Sequence, residues 1–187
     1  MSIRAAFAGA GTLSYLKPHI AIDCFLGDLE LEPEIKDVSS MVKVVLGDEC
    51  DHQYFPVACV ALDETAAEKW VALTRRVAGS NIKERDSDKH LVRHLYDLYH
   101  LKNKNCLSDS YYSVIEKVLK KERAMFDSEV DRIAFDPILV LHDLRTNPKW
   151  KDHWMYFLEQ MVYQSDRPSF EQAVSVIEEL SPDLSGT

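Results

Sequence analysis

Apolar residues recur along the chain in two rhythms, and the rhythm changes about a third of the way along. The run PHIAIDCFL, Pro18 to Leu26, alternates: Ile20, Ile22 and Cys24 share one face, Ala21, Asp23 and Phe25 the other, which predicts a strand. Phe55–Leu62 (FPVACVAL) is a second β-prone run. Between them, Leu29–Lys36 (LELEPEIK) is acidic and broken by Pro33, and predicts a loop. Val38–Gly47 fits a short helix or a strand equally, and Asp48–Tyr54 a polar turn. The first dozen residues, rich in Ala and Gly, carry no start signal and read as a loose lead-in.

Beyond Leu62 the spacing becomes helical. Asp63-Glu64-Thr65 opens a helix with Thr65 and Glu68 at capping-box spacing. It runs through AAEKWVALTRR, stops near Gly79, and places Ala66, Trp70, Leu73 and Val77 on one stripe for burial. Ala78–Lys89 is polar and predicts a loop and hinge. Helices are then expected over Lys89–Leu101, Ser108–Arg123, Ile133–Asn147, Trp150–Tyr163 and Ser169–Leu180, the last two opening after Pro148 and Pro168. Trp154, Phe157, Leu158 and Met161, with Phe170, Val174 and Ile177, fall at core spacing. The pattern as a whole predicts an α+β chain: a small α/β domain over residues 1–80 and a helical domain over residues 81–187.

Composition narrows the classes. The net charge of −9 over 187 residues sets a field that repels nucleic acid, so any RNA contact needs a local cluster of cations. No run approaches the roughly eighteen apolar residues of a membrane span, and MSIRAAFAGAGTL is too weakly hydrophobic for a signal peptide. Cys24, Cys50, Cys59 and Cys106 are far apart, so reduced thiols in a cytoplasmic protein are expected.

Candidate chemistry gathers on KHLVRHLYDLYHL, Lys89–Leu101. Leu91, Val92, Leu95, Leu98 and Tyr99 share an apolar face, while His90, Arg93, Asp97 and His100 fall on one polar stripe. The plain reading of that stripe is an Arg93–Asp97 helical pair with bystander histidines. His90 and His94 have the spacing of a zinc pair but lack the Glu of HExxH, and no third ligand is indicated. Cys50-x-His52 with Cys59 is a weaker metal signal still. Arg93-x6-His100 has the spacing of metal-independent HEPN-type ribonucleases, in which an Arg steadies charge at phosphorus and a His moves protons. Asp23, alone in mid-strand, is either an edge residue facing water or a carboxylate presented to a metal. Lys69, between Glu68 and Trp70, reads from local sequence as a snorkelling lysine.

Four stretches in order carry a resemblance. Tyr15–Asp23 (YLKPHIAID) is similar to the strand bearing the third acidic residue of the AbiEii/AbiGii-type toxin nucleotidyltransferases of abortive-infection and toxin–antitoxin systems. Phe55-Pro56-Val57 leading into Glu64–Lys69 (ETAAEK) resembles that family's T-x-x-E-K helix. Arg93–Leu98 (RHLYDL) resembles its R-(D/H)-x-Y-D-L helix, and Met161-Val162-Tyr163 with Pro168–Glu171 resembles its closing helices. The resemblance implies a DNA-polymerase-β-like nucleotidyltransferase sheet followed by a C-terminal helical bundle, using Mg²⁺ and an NTP. It implies Asp23 as a metal-side carboxylate, Lys69 on the nucleotide phosphates, and Asp97 as a catalytic acid steadied by Arg93. It also implies an antitoxin partner and a tRNA, other RNA or protein acceptor. The family's first motif, a Gly-Gly-Thr/Ser turn followed by Asp-x-Asp, has no counterpart: after Ala8–Thr12 (AGAGT) the next acidic residue is Asp23 itself. The expectation is therefore a truncated or degenerate transferase with little activity alone. A non-catalytic module binding an antitoxin is the further alternative, and an incomplete sheet would favour a homo-oligomer.

Overall fold

A computed structural model of the protein describes residues 2–6, 19–23, 28–39, 54–83, 90–124 and 137–182. In chain order these form strands β1 (Ser2–Ala6), β2 (His19–Asp23), β3 (Glu34–Val38) and β4 (Phe55–Cys59). Helices α1 (Leu62–Lys83), α2 (Val92–Asn103), α3 (Ser110–Ala124), α4 (Pro137–Thr146), α5 (Pro148–Met161) and α6 (Phe170–Glu179) follow. The arrangement is α+β and mostly helical. Among the described residues the strands make two separate antiparallel pairs, β1 with β2 and β3 with β4.

Both pairs revise the reading of the sequence. The expected lead-in contains β1, which pairs with β2 so that Ser2 lies across from Asp23 and Ala6 across from His19. The expected loop over residues 29–36 ends in β3, which starts directly after Pro33 and runs against β4 with Glu34 opposite Cys59 and Val38 opposite Phe55. Neither SIRAA nor EIKDV alternates strongly enough to announce a strand, and each is held in place by its partner. Residues 40–47, 50 and 52 and the AGAGT stretch lie outside the described residues.

Helix α1 is the hub of the helical part, packing against α2, α3 and α4, while α2 also meets α5 and α6. The predicted stripe is buried: Ala66, Trp70 and Val77 are fully enclosed and Leu73 nearly so. Each large ring in this core keeps a polar handle satisfied. The Trp70 indole N–H donates to the Ile177 carbonyl at 3.1 Å, tying α1 to α6. Trp154 donates to the Pro168 carbonyl and Trp150 to Asp143, while the Tyr111 hydroxyl donates to the Leu180 carbonyl. Helix α6 opens with a capping box between Ser169 and Gln172.

The start and end of α1 also differ from expectation. It begins at Leu62, so Thr65 lies inside the first turn and its N–H donates to the Ala61 carbonyl. It continues past Gly79 to Lys83, across the division expected near residue 80 and into the expected hinge. The two acids of its first turn reach outward. The Asp63 carboxylate accepts from the N–H and hydroxyl of Ser108 and from the Ser110 hydroxyl, capping the start of α3 from another helix. Burial pulls the Asp63 acid up, yet those hydrogen bonds outweigh it and hold the group below the usual carboxylate range. Glu64, almost fully buried, accepts from the N–H groups of Glu30 and Leu31, one at each oxygen, and so pins the segment leading into β3.

Candidate active site: a lysine–aspartate pair between two clefts

Helix α2 realises its predicted amphipathy. Leu91, Val92, Leu95 and Leu98 are buried, and Arg93, Asp97 and His100 lie along the opposite side. The helix ends in a Schellman turn: the Cys106 N–H donates to the Leu101 carbonyl and the Asn105 N–H to Lys102, with Asn105 in the left-handed region at φ 52°. Asn tolerates that conformation better than most residues with a Cβ. The turn fixes where Lys104 and Cys106 stand relative to the helix.

Asp97 meets Lys69 of α1, whose ammonium donates to Oδ2 at 2.7 Å. The expected intrahelical Arg93–Asp97 pair gives way to this contact, and the Arg93 guanidinium donates instead to the His90 carbonyl at 3.3 Å. A cross-helix pair in a cleft is less screened than an exposed i,i+4 pair, which is why Lys69 prevails. The side chains of Lys69 and Asp97 are 27% and 43% exposed, so both keep access to solvent and to a ligand. Lys69 has three N–H donors and gives one to Asp97, leaving two to offer.

The pair stands where two open clefts meet. The larger, roughly 660 Å³, has a polar wall of Lys69, Arg93, His94 and Asp97 from α1 and α2. Its opposite wall is the end of α5, with Phe157, Met161 and Tyr163. Arg167 holds that end by donating to the Val162 and Gln164 carbonyls. Tyr96 lies between, its ring 5.5 Å from Phe157 and 4.3 Å from His100, centre to centre. A second cleft of about 370 Å³ shares Lys69, Tyr96, Asp97 and Gln164 with the first and extends past His100 to Lys104. Among the described residues lining either cleft, Asp97 is the only carboxylate.

Proton affinities follow from burial and from these charges. Burial, then the nearby cations Lys69 and Arg76 and more weakly Arg93, push His94 down to about 4 against the pull of Asp97. His94 is therefore neutral at pH 7, and its Nδ1 is buried without a hydrogen-bond partner among the described residues. Burial and Lys104 lower His100 as well. Burial, then Asp97 and Asp166, raise the Tyr96 phenol.

The structure thus brings together Lys69, Asp97 and Arg93 of the sequence-derived set. Asp23 is the last residue of β2, its side chain lies outside the described residues, and the main contacts of β1 and β2 are with each other. Of the residues the ribonuclease reading needs, Arg93 lines the larger cleft and His100 the smaller. Tyr96 and Tyr163 stand in the stretches that carry the resemblance but have no role there, and the sequence does not single out Gln164 and Lys104. Tyr163 and Gln164 lie beyond a helix end and Lys104 at one, where periodicity gives no signal.

No group of three His, Cys, Asp or Glu side chains that could hold a metal ion occurs among the described residues. Asp97 by itself is too few donors for Mg²⁺, which takes octahedral oxygen ligation. The cations suit polyphosphate better: two spare donors of Lys69 and the guanidinium of Arg93 face one cleft. None of the described helices is long and apolar enough to cross a membrane.

Six helices following antiparallel strands among the described residues, with a cleft lined by Lys69, Arg93 and Asp97, make this a mostly helical α+β protein. The family model for the nucleotidyl transferase AbiEii toxin of type IV toxin–antitoxin systems matches residues 1–176, and the chain belongs to that family. No curated protein and no solved structure matches it.

Proposed function

We propose that the chain transfers a nucleoside monophosphate from an NTP to an RNA or protein acceptor, at the cleft where Lys69 meets Asp97. The contact between those two side chains carries the reading: an amine with spare donors and a half-exposed carboxylate share one phosphate-sized space, with Arg93 beside them. Lys69 and Arg93 would hold the triphosphate oxygens and offset the charge that builds as pyrophosphate departs. The acceptor hydroxyl oxygen bonds to the α-phosphorus, and the bond from that phosphorus to the bridging oxygen of the β-phosphate breaks. Pyrophosphate leaves with the electron pair, and the hydroxyl proton passes to the Asp97 carboxylate and on to solvent.

Mg²⁺ is part of the proposal through the family, with Asp23 as the candidate ligand on a polymerase-β-like sheet, and it would neutralise phosphate charge when bound. With Asp97 the only carboxylate lining the clefts among the described residues, the chain would transfer slowly. As a member of a toxin–antitoxin family, it would have an antitoxin as its protein partner.

A labelled-NTP transfer assay with Mg²⁺, run beside equilibrium nucleotide binding, tests this. Nucleotide binding weakened about tenfold or more by Lys69→Ala, with slow transfer lost in Asp97→Asn, is the expected outcome. Binding and transfer indifferent to both changes would sink the proposal, and rapid transfer by the wild-type chain would sink the slow-rate part. RNA cleavage without metal, lost in His100→Ala, would favour the ribonuclease instead.

A further inference from the structure

Apolar exposure is unevenly spread over the molecule. Most of the large apolar side chains standing in solvent among the described residues lie between Leu29 and Leu62, on or beside the β3–β4 pair. Ile35 is 66% and Phe55 59% exposed. The two strands make their main contacts with each other rather than with the helices. All of β3 is exposed, and β4 is exposed as far as Ala58. Side chains alternate between the faces, so Glu34 and Lys36 share one with Val57, while Ile35 shares the other with Ala58. The two edges of this pair are not equivalent. Pro56 has no N–H, so it sits where backbone groups turn away from β3, and it blunts the outer edge of β4. In an antiparallel ladder, residues opposite one another both turn inward or both outward. Asp37, opposite Pro56, and Ile35, two residues before it, therefore present their N–H and C=O groups at the outer edge of β3. No strand among the described residues takes them up.

We propose that this edge joins two copies of the chain: β3 pairs antiparallel with the β3 of a second copy about a two-fold axis at Ile35, making one continuous sheet. Charge selects the partner and the register. A lysine on an edge strand normally guards it against pairing. Here Lys36 comes with an acid two positions earlier on the same face, its ammonium 2.5 Å from Glu34. Glu34-Ile35-Lys36 is its own complement when reversed, so each Glu34 stands opposite the partner's Lys36, and each Ile35 opposite the partner's Ile35. One face then carries charges of alternating sign. On the other the two isoleucines meet, with Ala58 of each chain beside them. Each Ile35 N–H donates to the partner's Ile35 carbonyl, and each Asp37 N–H to the partner's Pro33 carbonyl. Neighbouring registers fail: centring on Lys36 sets lysine against lysine, and centring on Glu34 or Asp37 sets acid against acid. The proposal stands apart from the transfer chemistry, since neither Glu34 nor Lys36 lines the clefts at Lys69.

Sedimentation velocity on the full chain across a range of concentrations, with amide hydrogen exchange at both ends of that range, tests this. The chain is expected to dimerise as concentration rises, its Ile35 and Asp37 amides exchanging fast when dilute and slowly when concentrated. Glu34→Lys sets like charge against Lys36 at both symmetric contacts, and Lys36→Glu does the same against Glu34. Each change alone should weaken dimerisation about tenfold or more. Mixed, with one of them labelled, the two variants should pair with each other within about threefold of the wild-type affinity, because each then meets its opposite. The two side chains are 45% and 55% exposed, so neither change threatens folding. A wild-type chain that stays monomeric at every concentration overturns the proposal. Fast amides in that monomer would leave the face to a different protein, and slow ones would show that the chain's own residues cover it. A dimer that survives either single change, or a mixture that fails to pair, overturns the assignment to this edge and register.

Discussion

Acids at two places in the helical part show opposite habits. At the start of α1, Asp63 and Glu64 are buried and engaged at both oxygens, the first with three hydrogen bonds from Ser108 and Ser110, the second with the N–H groups of Glu30 and Leu31. On α2, Asp97 accepts from Lys69 alone and stays 43% exposed in a cleft. A buried carboxylate engaged at both oxygens by its own chain holds segments together. One that is engaged at a single oxygen, beside cations with donors to spare, is free to act on a ligand. In a family of transferases, where acids draw attention, the hydrogen-bond account separates the acids that hold segments together from Asp97, which is engaged at one oxygen.

That contrast can be broken most sharply at Asp97. Asp97→Asn keeps the shape and removes the charge; transfer should fall by about a hundredfold or more, while urea denaturation should shift by less than about 1 kcal/mol. A large loss of stability would place Asp97 with the structural acids. Asp63→Ala should do the opposite, costing about 2–3 kcal/mol because the Ser108 N–H and two hydroxyls lose their acceptor. Nucleotide binding at the cleft should survive it under conditions where the chain is folded. Glu64→Gln keeps one acceptor oxygen and should cost about 1 kcal/mol, read by the same titration, with faster amide exchange at Glu30 and Leu31.

His94 sharpens the comparison from the side of pH. Its value in the folded chain, about 4, lies below its ordinary 6.5, so the unfolded chain binds more protons between those limits. Stability should rise with pH from about 4 to 6.5 and be lost on acidification through that window. His94→Phe should flatten the slope there by about 1–2 kcal/mol after allowing for partial exposure. Asp63, held below the usual carboxylate range, also loses stabilising charge on acidification, but lower in the pH scale. A slope unchanged by His94→Phe would show that burial and the cations around the cleft do not lower its proton affinity.

Much of the helical part was legible in the residue pattern. The Ala66, Trp70, Leu73, Val77 stripe and the Leu91, Leu95, Leu98 face emerged buried as their spacing demands, because helical periodicity is local and each core position repeats the signal. The strands were less legible. β2 and β4 alternate or carry β-branched residues, whereas SIRAA and EIKDV become strands through pairing with residues far along the chain. The capping box at Thr65 was outcompeted by acids that found partners in α3 and before β3, which no local rule foresees.

The sequence by itself determined the amphipathic helices, the family, and the residue types of the candidate site, since periodicity and short motifs are written in neighbouring positions. Tertiary structure alone decided that Lys69, not Arg93, holds Asp97, and that the pair lies between two unlike clefts. The physical reason is competition: a charge with several partners in reach along its own helix takes the one that packing brings close and shields from water.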